Sequence, residues 1–205
     1  MSNVSGDGGM QVEYSKEFYD KVRKFTSECM KRLYKLEING INNIPTDTNY
    51  ILVGNHLHIM DSLLLLTYND DRIRFMVDNK LYSYKLSEWF FKKVGTFGIN
   101  PDKADIKALR EAINLLKNGE NIAIFPEGHT HDKDIDLEYK PGIARISRST
   151  GVPIVPFGIY GSYKPGDSII LNIGKPINYK NSVLKNDQID KDLEIKVKCL
   201  IQRKK

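Results

Sequence analysis

The sequence predicts an α/β fold: a mixed, largely parallel β-sheet flanked by helices, with a basic amphipathic helix at the N-terminus. First, short apolar runs that suit strands alternate with longer helical segments from Tyr50 onward, an order typical of α/β domains. Second, the stretch before residue 40 combines helical periodicity with many cations. Third, the 205 residues are 40% hydrophobic and 28% charged, which is enough for one domain with a sizeable core.

The N-terminal helix is predicted from about residue 13 to residue 36. Apolar residues recur there at spacings of three and four, which places them on one face: Phe18, Val22, Phe25, Cys29, Leu33 and Leu36. Seven cations share the stretch: Lys16, Lys21, Arg23, Lys24, Lys31, Arg32 and Lys35. Two interpretations stay open. The helix packs on the domain with a solvated outer face, or its cations lie against anionic lipid.

Strands and helices then follow in turn. Strands are predicted at 50–53, 72–77, 96–99, 121–125, 154–160 and 168–173. Helices are predicted at 82–94, 103–118, 143–149 and 189–201. Asp102 suits the N-cap of the helix at 103–118, and Gly119 can end it. The helix at 82–94 has a heavy apolar end that includes Trp89, which we expect in the core or at a membrane edge.

Residues 1–10 are polar and rich in Gly and Ser, which predicts a disordered tail or an artificial extension rather than a signal peptide. The remaining residues, 11–205, contain no internal repeat and no linker rich in Pro or Ser. They are therefore predicted to form a single domain.

Composition narrows the classes of protein. The net charge is 31 − 26 = +5, which favours an anionic membrane face or a phosphorylated substrate as partner. Nucleic acid is a weak candidate, because aromatic residues are not interleaved with basic ones on a predicted sheet face. No apolar run approaches the ~20 residues of a membrane-spanning helix. The two cysteines are too few for a disulfide framework. We therefore expect the protein to work in the reducing environment of the cytoplasm.

All four histidines fall in two short segments, 55–61 and 125–131. Each segment directly follows a predicted strand. In open α/β sheets, ligands bind outside the carboxyl ends of the strands. The two segments are therefore the candidate site.

His56 and Asp61 are five residues apart across a predicted strand-to-helix turn. The Asp61 carboxylate can return to the imidazole, bond one ring N–H and leave the other ring nitrogen as a general base. No Ser or Cys nucleophile is required if the substrate brings its own hydroxyl. The alternative is a capped turn, in which Asp61 is only the helix N-cap and His56 lies in a loop.

Four motifs in order resemble the glycerolipid acyltransferase family, which includes the 1-acylglycerol-3-phosphate acyltransferases. They are Asn55-His56-x4-Asp61, then Phe125-Pro126-Glu127-Gly128, then Val152-Pro153-Ile154-Val155-Pro156, and finally Gly174-Lys175-Pro176-Ile177. Lys140-Pro141-Gly142 falls where that family has a Lys-x-Gly turn. The resemblance covers roughly residues 50–175. It implies that the single domain predicted for residues 11–205 is an acyltransferase domain.

The resemblance implies a function for each matching residue. His56 deprotonates the acceptor hydroxyl, which attacks an acyl thioester, and Asp61 orients His56. Phe125, Pro126, Glu127 and Gly128 contribute to the acceptor site, and backbone N–H groups near the motifs can stabilise the oxyanion. The segment 152–156 contributes to the acyl or acceptor pocket. The co-substrate is acyl-CoA or acyl carrier protein, and neither a metal nor another cofactor is implied.

The sequence departs from the family pattern at two arginines that would clamp a phosphate. Pro101 follows Gly95-Thr96-Phe97-Gly98-Ile99-Asn100 where that motif ends in Arg, and Gly128 is followed by His129-Thr130 instead of Thr-Arg. An Arg fork binds phosphate in a bidentate way that His or Thr cannot copy. Nearby cations could compensate: Lys103, Lys107, Lys140 and Arg145. Alternatively, the acceptor carries no terminal phosphate. Thr130 and the two lysines Lys103 and Lys140 remain candidate acceptor-binding residues.

Two other classes stay open. His56, His58, Asp61, Glu127, His129 and His131 include enough N and O ligands for a metal-dependent hydrolase. A non-catalytic lipid-binding module would use the basic helix, but it leaves the His56 and Asp61 pair without a role. The preferred expectation is an acyltransferase that works in the cytoplasm, on the inner face of an anionic membrane, on a lysophospholipid acceptor.

Overall fold

The computed structural model describes residues 14–69, 71–102, 105–128 and 139–202. In these residues the chain forms a seven-stranded sheet with the order β1-β7-β6-β2-β5-β3-β4. The strands are β1 (Lys35–Asn39), β2 (Ile51–Gly54), β3 (Ile73–Asp78), β4 (Phe97–Ile99), β5 (Asn121–Ile124), β6 (Ile154–Gly161) and β7 (Ser168–Ile173). The predicted tail at 1–10 lies outside the described residues.

The sheet is mixed and largely parallel, as the alternation of strands and helices predicts. β2 pairs in parallel with both β5 and β6, and β3 pairs in parallel with both β4 and β5. β7 is antiparallel to β6, and β1 is parallel to β7. The carboxyl ends of β2, β5 and β6 therefore lie side by side at one edge of the sheet.

Six α-helices cover the two faces of the sheet in the described part of the chain. They are α1 (Lys16–Leu33), α2 (Asp61–Tyr68), α3 (Lys85–Val94), α4 (Ile106–Lys117), α5 (Ile143–Thr150) and α6 (Asn186–Ile201). Alternate strand residues feed two separate cores. Ile51 and Val53 pack with α4, α5 and α6, whereas Leu52 packs with α1 and α2.

The N-terminal helix is present but differs from its prediction at both its end and its buried face. It ends at Leu33, because Tyr34 is extended and Leu36 belongs to β1, which pairs with β7. Its buried residues are Tyr19 and Met30, and Phe25 is 71% exposed. The packed face is therefore rotated from the predicted one: Phe18, Val22 and Cys29 are half-buried, whereas Phe25 and Leu33 are exposed. Arg23 is half-buried as well, and its guanidinium donates to the Asn69 carbonyl.

Near β4, the predicted helix cap was wrong, and one of the two places expected for Trp89 is excluded. Asp105, not Asp102, caps α4, since its Oδ1 accepts from the backbone N–H groups of Lys107 and Ala108 at 3.0 and 3.1 Å. Asp102 lies 3.5 Å from the Lys80 ammonium instead. The aromatic end of α3 is not core: no residue of this helix is buried, and Trp89 is 41% exposed.

No helix in the described ranges is long and apolar enough to cross a membrane.

Candidate active site

Three loops meet where β2, β5 and β6 end. Val53 pairs with Ile124 of β5 and with Pro156 of β6. The loop that begins at Asn55 therefore lies between the loop that begins at Phe125 and the loop that follows Gly161. This topology brings together the two histidine-bearing segments of the sequence.

Asn55 fixes the point at which the chain leaves β2. Its side chain is buried and forms two hydrogen bonds with the backbone of one residue of β6. Nδ2 donates to the Ile159 carbonyl at 2.9 Å, and Oδ1 accepts from the Ile159 N–H at 2.7 Å. The amide thus holds the following loop, including His56, against the neighbouring strand.

His56 and Asp61 form a direct pair. Nδ1 of His56 lies 2.8 Å from Oδ2 of Asp61, and the Asp61 side chain is completely buried. The same oxygen accepts from the backbone N–H groups of Leu57 at 2.7 Å and His58 at 2.8 Å. A carboxylate that already accepts two amides also accepts from the imidazole, so the neutral ring carries its proton on Nδ1 and leaves Nε2 unprotonated.

Asp61 does not cap its own helix. It is the first residue of α2, and Met60 occupies the N-cap position. The carboxylate instead turns back and closes the loop of four residues that separates it from His56. The capped-turn interpretation is therefore wrong in its detail, because the bonded amides belong to the loop and not to the first turn of the helix.

The His56 ring is held between aromatic and acidic neighbours. It stacks on Phe125, with ring centroids 4.1 Å apart and planes at 19°. Phe125 in turn meets the buried Phe157 edge-on. About one fifth of the His56 side chain remains exposed, since its relative accessibility is 19%. The ring is thus fixed in place and still reachable from solvent.

Glu127 is a buried carboxyl group directly behind His56. Its Oε2 accepts from the backbone N–H of His56 at 3.3 Å. Burial raises the pKa of Glu127 to about 8, and the negative charge of Asp61 adds to the rise, although the hydrogen bond from His56 opposes it. The Glu127 side chain therefore supports the loop of residues 55–60, called the histidine loop below. At neutral pH its carboxyl group readily holds a proton.

Lys140 lies against the turn formed by residues 125–128. Gly128 has φ +72°, and a Cβ there would come 2.7 Å from the Lys140 ammonium, so the turn needs glycine both for its backbone conformation and for this close approach. Nζ of Lys140 donates to the Pro101 carbonyl at 2.6 Å. The ammonium thus lies between the Phe125–Gly128 turn and Pro101, which is two residues after the end of β4.

Comparison with known proteins identifies the family. The family model described as Acyltransferase matches residues 35–160, which is more than half of the chain. The chain belongs to the acyltransferase family. The resemblance read from the motifs is confirmed.

The chain is also similar in sequence to proteins named as acyltransferases. The chloroplastic 1-acyl-sn-glycerol-3-phosphate acyltransferase of Brassica napus is 29% identical over 169 residues, which cover 78% of this chain and 48% of that protein. The 1-acyl-sn-glycerol-3-phosphate acyltransferase of Bacillus subtilis is 26% identical over 169 residues, 76% of this chain and 82% of that protein. The chain thus spans about half the length of the plant relatives that it matches.

A solved structure has the same fold. The crystal structure of the 1-acyl-sn-glycerophosphate (LPA) acyltransferase PlsC from Thermotoga maritima matches with a TM-score of 0.75 and 29% sequence identity. The match covers 91% of this chain and 80% of that one. It confirms the α/β fold expected of an acyltransferase.

The structure brings together the residues of the first two motifs and Lys140. His56, Asp61, Phe125 and Glu127 are linked by contacts or hydrogen bonds, and Pro126, Gly128 and Lys140 adjoin them. Lys103, Thr130, His129 and His131 lie outside the described residues.

The metal-site alternative gains no support from the described residues. In 14–69, 71–102, 105–128 and 139–202, no group of three or more His, Cys, Asp or Glu side chains could hold an ion. Two of its six candidate ligands, His129 and His131, lie outside those ranges.

Tyr163 belongs to the site and was missed from the sequence. Its hydroxyl donates to Oδ1 of Asp61, and its ring stacks on His58 with centroids 4.9 Å apart and planes at 24°. Tyr163 is 102 residues from Asp61 and belongs to no motif that we singled out. Its place after a third strand, β6, is the signal that could have found it, because this strand ends at the same sheet edge.

Proposed function

We propose that this chain is an O-acyltransferase that moves a fatty acyl group from acyl-CoA or acyl carrier protein to the hydroxyl of a lysophospholipid acceptor, 1-acylglycerol-3-phosphate. The observation that carries the proposal is the contact of 2.8 Å between His56 Nδ1 and Asp61 Oδ2 at the carboxyl end of a central strand. It leaves Nε2 as an oriented base in a chain whose relatives carry the name of this activity.

The proposed step is a direct acyl transfer. His56 Nε2 takes the proton of the acceptor hydroxyl while the oxygen attacks the thioester carbonyl. The new C–O bond forms, and the C–S bond breaks as the tetrahedral intermediate collapses. The proton on His56 then passes to the departing thiolate, which leaves as a thiol. Asp61 holds the ring in its orientation and stabilises the imidazolium that forms in between.

The oxyanion of that intermediate needs hydrogen-bond donors, and the amides next to His56 are already engaged. The N–H of His56 donates to Glu127, and those of Leu57 and His58 donate to Asp61. Donors other than these three amides must therefore face the thioester oxygen. The amides of the histidine loop act on the two carboxylates instead.

Lys140 is the proposed contact for the acceptor phosphate. Both arginines that the family motifs would supply are absent. The Lys140 ammonium donates to the carbonyl of Pro101, which occupies the position of one of them, and lies against Gly128. An ammonium has three donors, and the hydrogen bond to Pro101 uses one of them. Within residues 14–69, 71–102, 105–128 and 139–202 the ammonium donates to this carbonyl alone, which leaves two donors for phosphate oxygens. Lys103 and Thr130 remain candidates for the same role.

A membrane surface is the proposed location of the reaction, because the acyl chain of the acceptor lies in a bilayer. The Ser15 N–H donates to the Lys93 carbonyl, and Phe18 contacts Trp89 and Phe90 edge-on, so α1 and α3 run antiparallel. Both helices expose large apolar residues beside their lysines: Phe25 on α1, and Leu86 and Trp89 on α3, with Tyr84 at its N-cap. This combination suits the anionic inner face of a cytoplasmic membrane.

Acceptor choice is the experiment that tests the proposal. Labelled acyl donors are incubated with a panel of lysolipids, and the products are identified by mass spectrometry. We expect lysophosphatidic acid to be acylated best. Lys140→Ala should raise its KM at least several-fold with a smaller effect on kcat, because the contact serves ground-state and transition-state binding alike. Lys117→Ala, an exposed lysine at the far end of α4, is the control and should leave KM unchanged.

The same panel contains the results that would reject the proposal. A folded protein that acylates no lysolipid with either donor is not this enzyme. Activity that disappears with a chelator and returns with a metal ion would favour the metal-dependent hydrolase. Lysophosphatidic acid as the poorest acceptor would reject the phosphate contact and leave an acceptor without a terminal phosphate.

A further inference from the structure

We infer that Tyr163 is a positioning residue, which acts on the base His56 through Asp61 and sets the pH range in which that base works. The inference rests on the proposed function, since it assigns a further residue to the same site. Tyr163 does not belong to the four motifs that identify the family, and it comes from a separate loop, after β6.

The two oxygens of the Asp61 carboxylate have different hydrogen-bond partners. Oδ2 serves the histidine loop, through His56 Nδ1 and two backbone amides. Oδ1 accepts from the Tyr163 hydroxyl. Because the side chain is completely buried, water cannot replace a donor that is removed. Tyr163 therefore fixes the rotation of the carboxylate about its Cβ–Cγ bond.

Tyr163 is itself held in place by neighbouring rings and a hydrogen bond. Its ring stacks on His58 and meets Tyr34 edge-on at 5.6 Å and 82°. The Tyr34 hydroxyl donates to the Tyr163 carbonyl at 3.3 Å. Burial, and then the neighbouring charge of Asp61, raise the pKa of Tyr163 well above its ordinary value. The phenol is thus a fixed and permanently protonated donor.

The Tyr163 hydroxyl weakens the attraction between Asp61 and a protonated His56. A hydrogen bond from Tyr163 spreads part of the negative charge of Asp61 onto the phenol. Without it, the carboxylate attracts a proton on the imidazole more strongly. The other titratable groups around the pair are Glu127 behind His56, His58 against Tyr163, and Tyr34 at the end of α1. A change from Tyr163 to Phe alters none of them.

The test is Tyr163→Phe, which keeps both ring contacts and removes only the hydroxyl. We expect kcat to fall about tenfold, with KM for the lysolipid within about twofold of wild type. The acidic limb of the pH–rate profile should move to higher pH by about half a unit, because the base is protonated more readily. The proton NMR signal of His56 Nδ1–H should move downfield, and this readout does not depend on turnover.

The matched control is Tyr179→Phe. Tyr179 is also buried, and its hydroxyl donates to a carboxylate, Asp192 Oδ2, at 2.6 Å on the other side of the sheet. The Tyr179→Phe substitution removes the same kind of hydrogen bond at a distance from the site. We expect it to lower the melting temperature and to leave the acidic limb and the His56 signal in place. A merely structural role for Tyr163 would produce this same pattern.

The two proposals fail in different ways. If His56→Ala retains turnover, the proposed function is rejected whatever Tyr163 does. If His56→Ala is inactive, and Tyr163→Phe keeps the wild-type kcat, acidic limb and NMR signal, only the role of Tyr163 is rejected. A Tyr163→Phe variant that loses kcat but keeps the wild-type acidic limb and signal also rejects it.

Discussion

At the scale of single residues, two buried carboxyl groups beside His56 have different surroundings. Asp61 accepts four hydrogen bonds, from His56, Leu57, His58 and Tyr163. Glu127 accepts from the His56 amide, and burial raises its pKa to about 8. One group can stabilise an imidazolium, and the other adds little negative charge beside it at neutral pH. Such a division suits a single general base.

The Glu127 side chain should give folding stability a specific pH dependence. Its pKa rises from 4.5 to about 8 on folding, so between these values the folded state holds a proton that the unfolded state has released. Stability therefore falls as pH rises through this window, by up to about 1.4 kcal/mol per pH unit. Glu127→Gln, which cannot ionise, should be more stable than wild type at pH 9 and differ least near pH 4.5.

Urea unfolding at a series of pH values measures this difference. Glu37→Gln, at an exposed carboxylate on β1, is the control and should follow the wild-type curve. A constant difference between Glu127→Gln and wild type across the series would contradict the buried, proton-holding state of Glu127.

At the scale of elements, hydrophobic periodicity and the alternation of strands and helices along the chain predicted most of the fold. The strand at 168–173 agrees with β7 at both ends, and the other strands agree to within one residue, because apolar runs between Gly, Pro and polar turns mark strands clearly. β1 was missed, since Leu36 continues the helical spacing of α1. Only the pairing with β7, more than 130 residues away, makes that segment a strand.

The site was predictable to the extent that its residues lie close in sequence. His56 and Asp61 are five residues apart, so their pairing followed from local spacing. The contact between Lys140 and Pro101, and that between Tyr163 and Asp61, depend on which strands are neighbours. A single sequence does not contain that information, and these two contacts required the structure.

The paired helices α1 and α3 should bind anionic bilayers. Lys24 and Arg32 are exposed on α1, whereas Arg23 is tied to Asn69 and Lys21 to Glu17. Each cation near an anionic surface contributes ~1 kcal/mol, and salt screens it within a Debye length. Charge reversal of Lys24 and Arg32 should therefore weaken binding strongly at low salt, and Leu86→Ser with Trp89→Ser should weaken it at all salt concentrations.

Vesicle flotation measures this binding, with anionic and zwitterionic lipids at low and high salt. Lys117→Glu, at the end of α4, is the control for charge and should bind as wild type does. Equal binding to both kinds of vesicle, or binding to neither, would leave α1 and α3 as ordinary packed helices.

At the scale of the whole molecule, the parallel sheet brings the chemistry to one edge. The loops after β2, β5 and β6 supply a base, two carboxyl groups and a phenol from segments that span more than 100 residues of sequence. α1 ends at Leu33, and the next residue, Tyr34, contacts Tyr163 at this same edge. The end of the proposed membrane helix and the proposed base are therefore connected through two side chains, Tyr34 and Tyr163, and the carboxylate of Asp61.

The most direct test of the account is acyl transfer to lysophosphatidic acid by wild type and His56→Ala, measured by mass spectrometry of the product at saturating donor and acceptor. General-base catalysis contributes about 10²–10⁴-fold, so we predict a loss of that size in kcat with an unchanged circular dichroism spectrum. Asp61→Asn should also be severely impaired, because it loses the charge and the orientation of the ring. Near-normal turnover by a correctly folded His56→Ala variant would contradict the account.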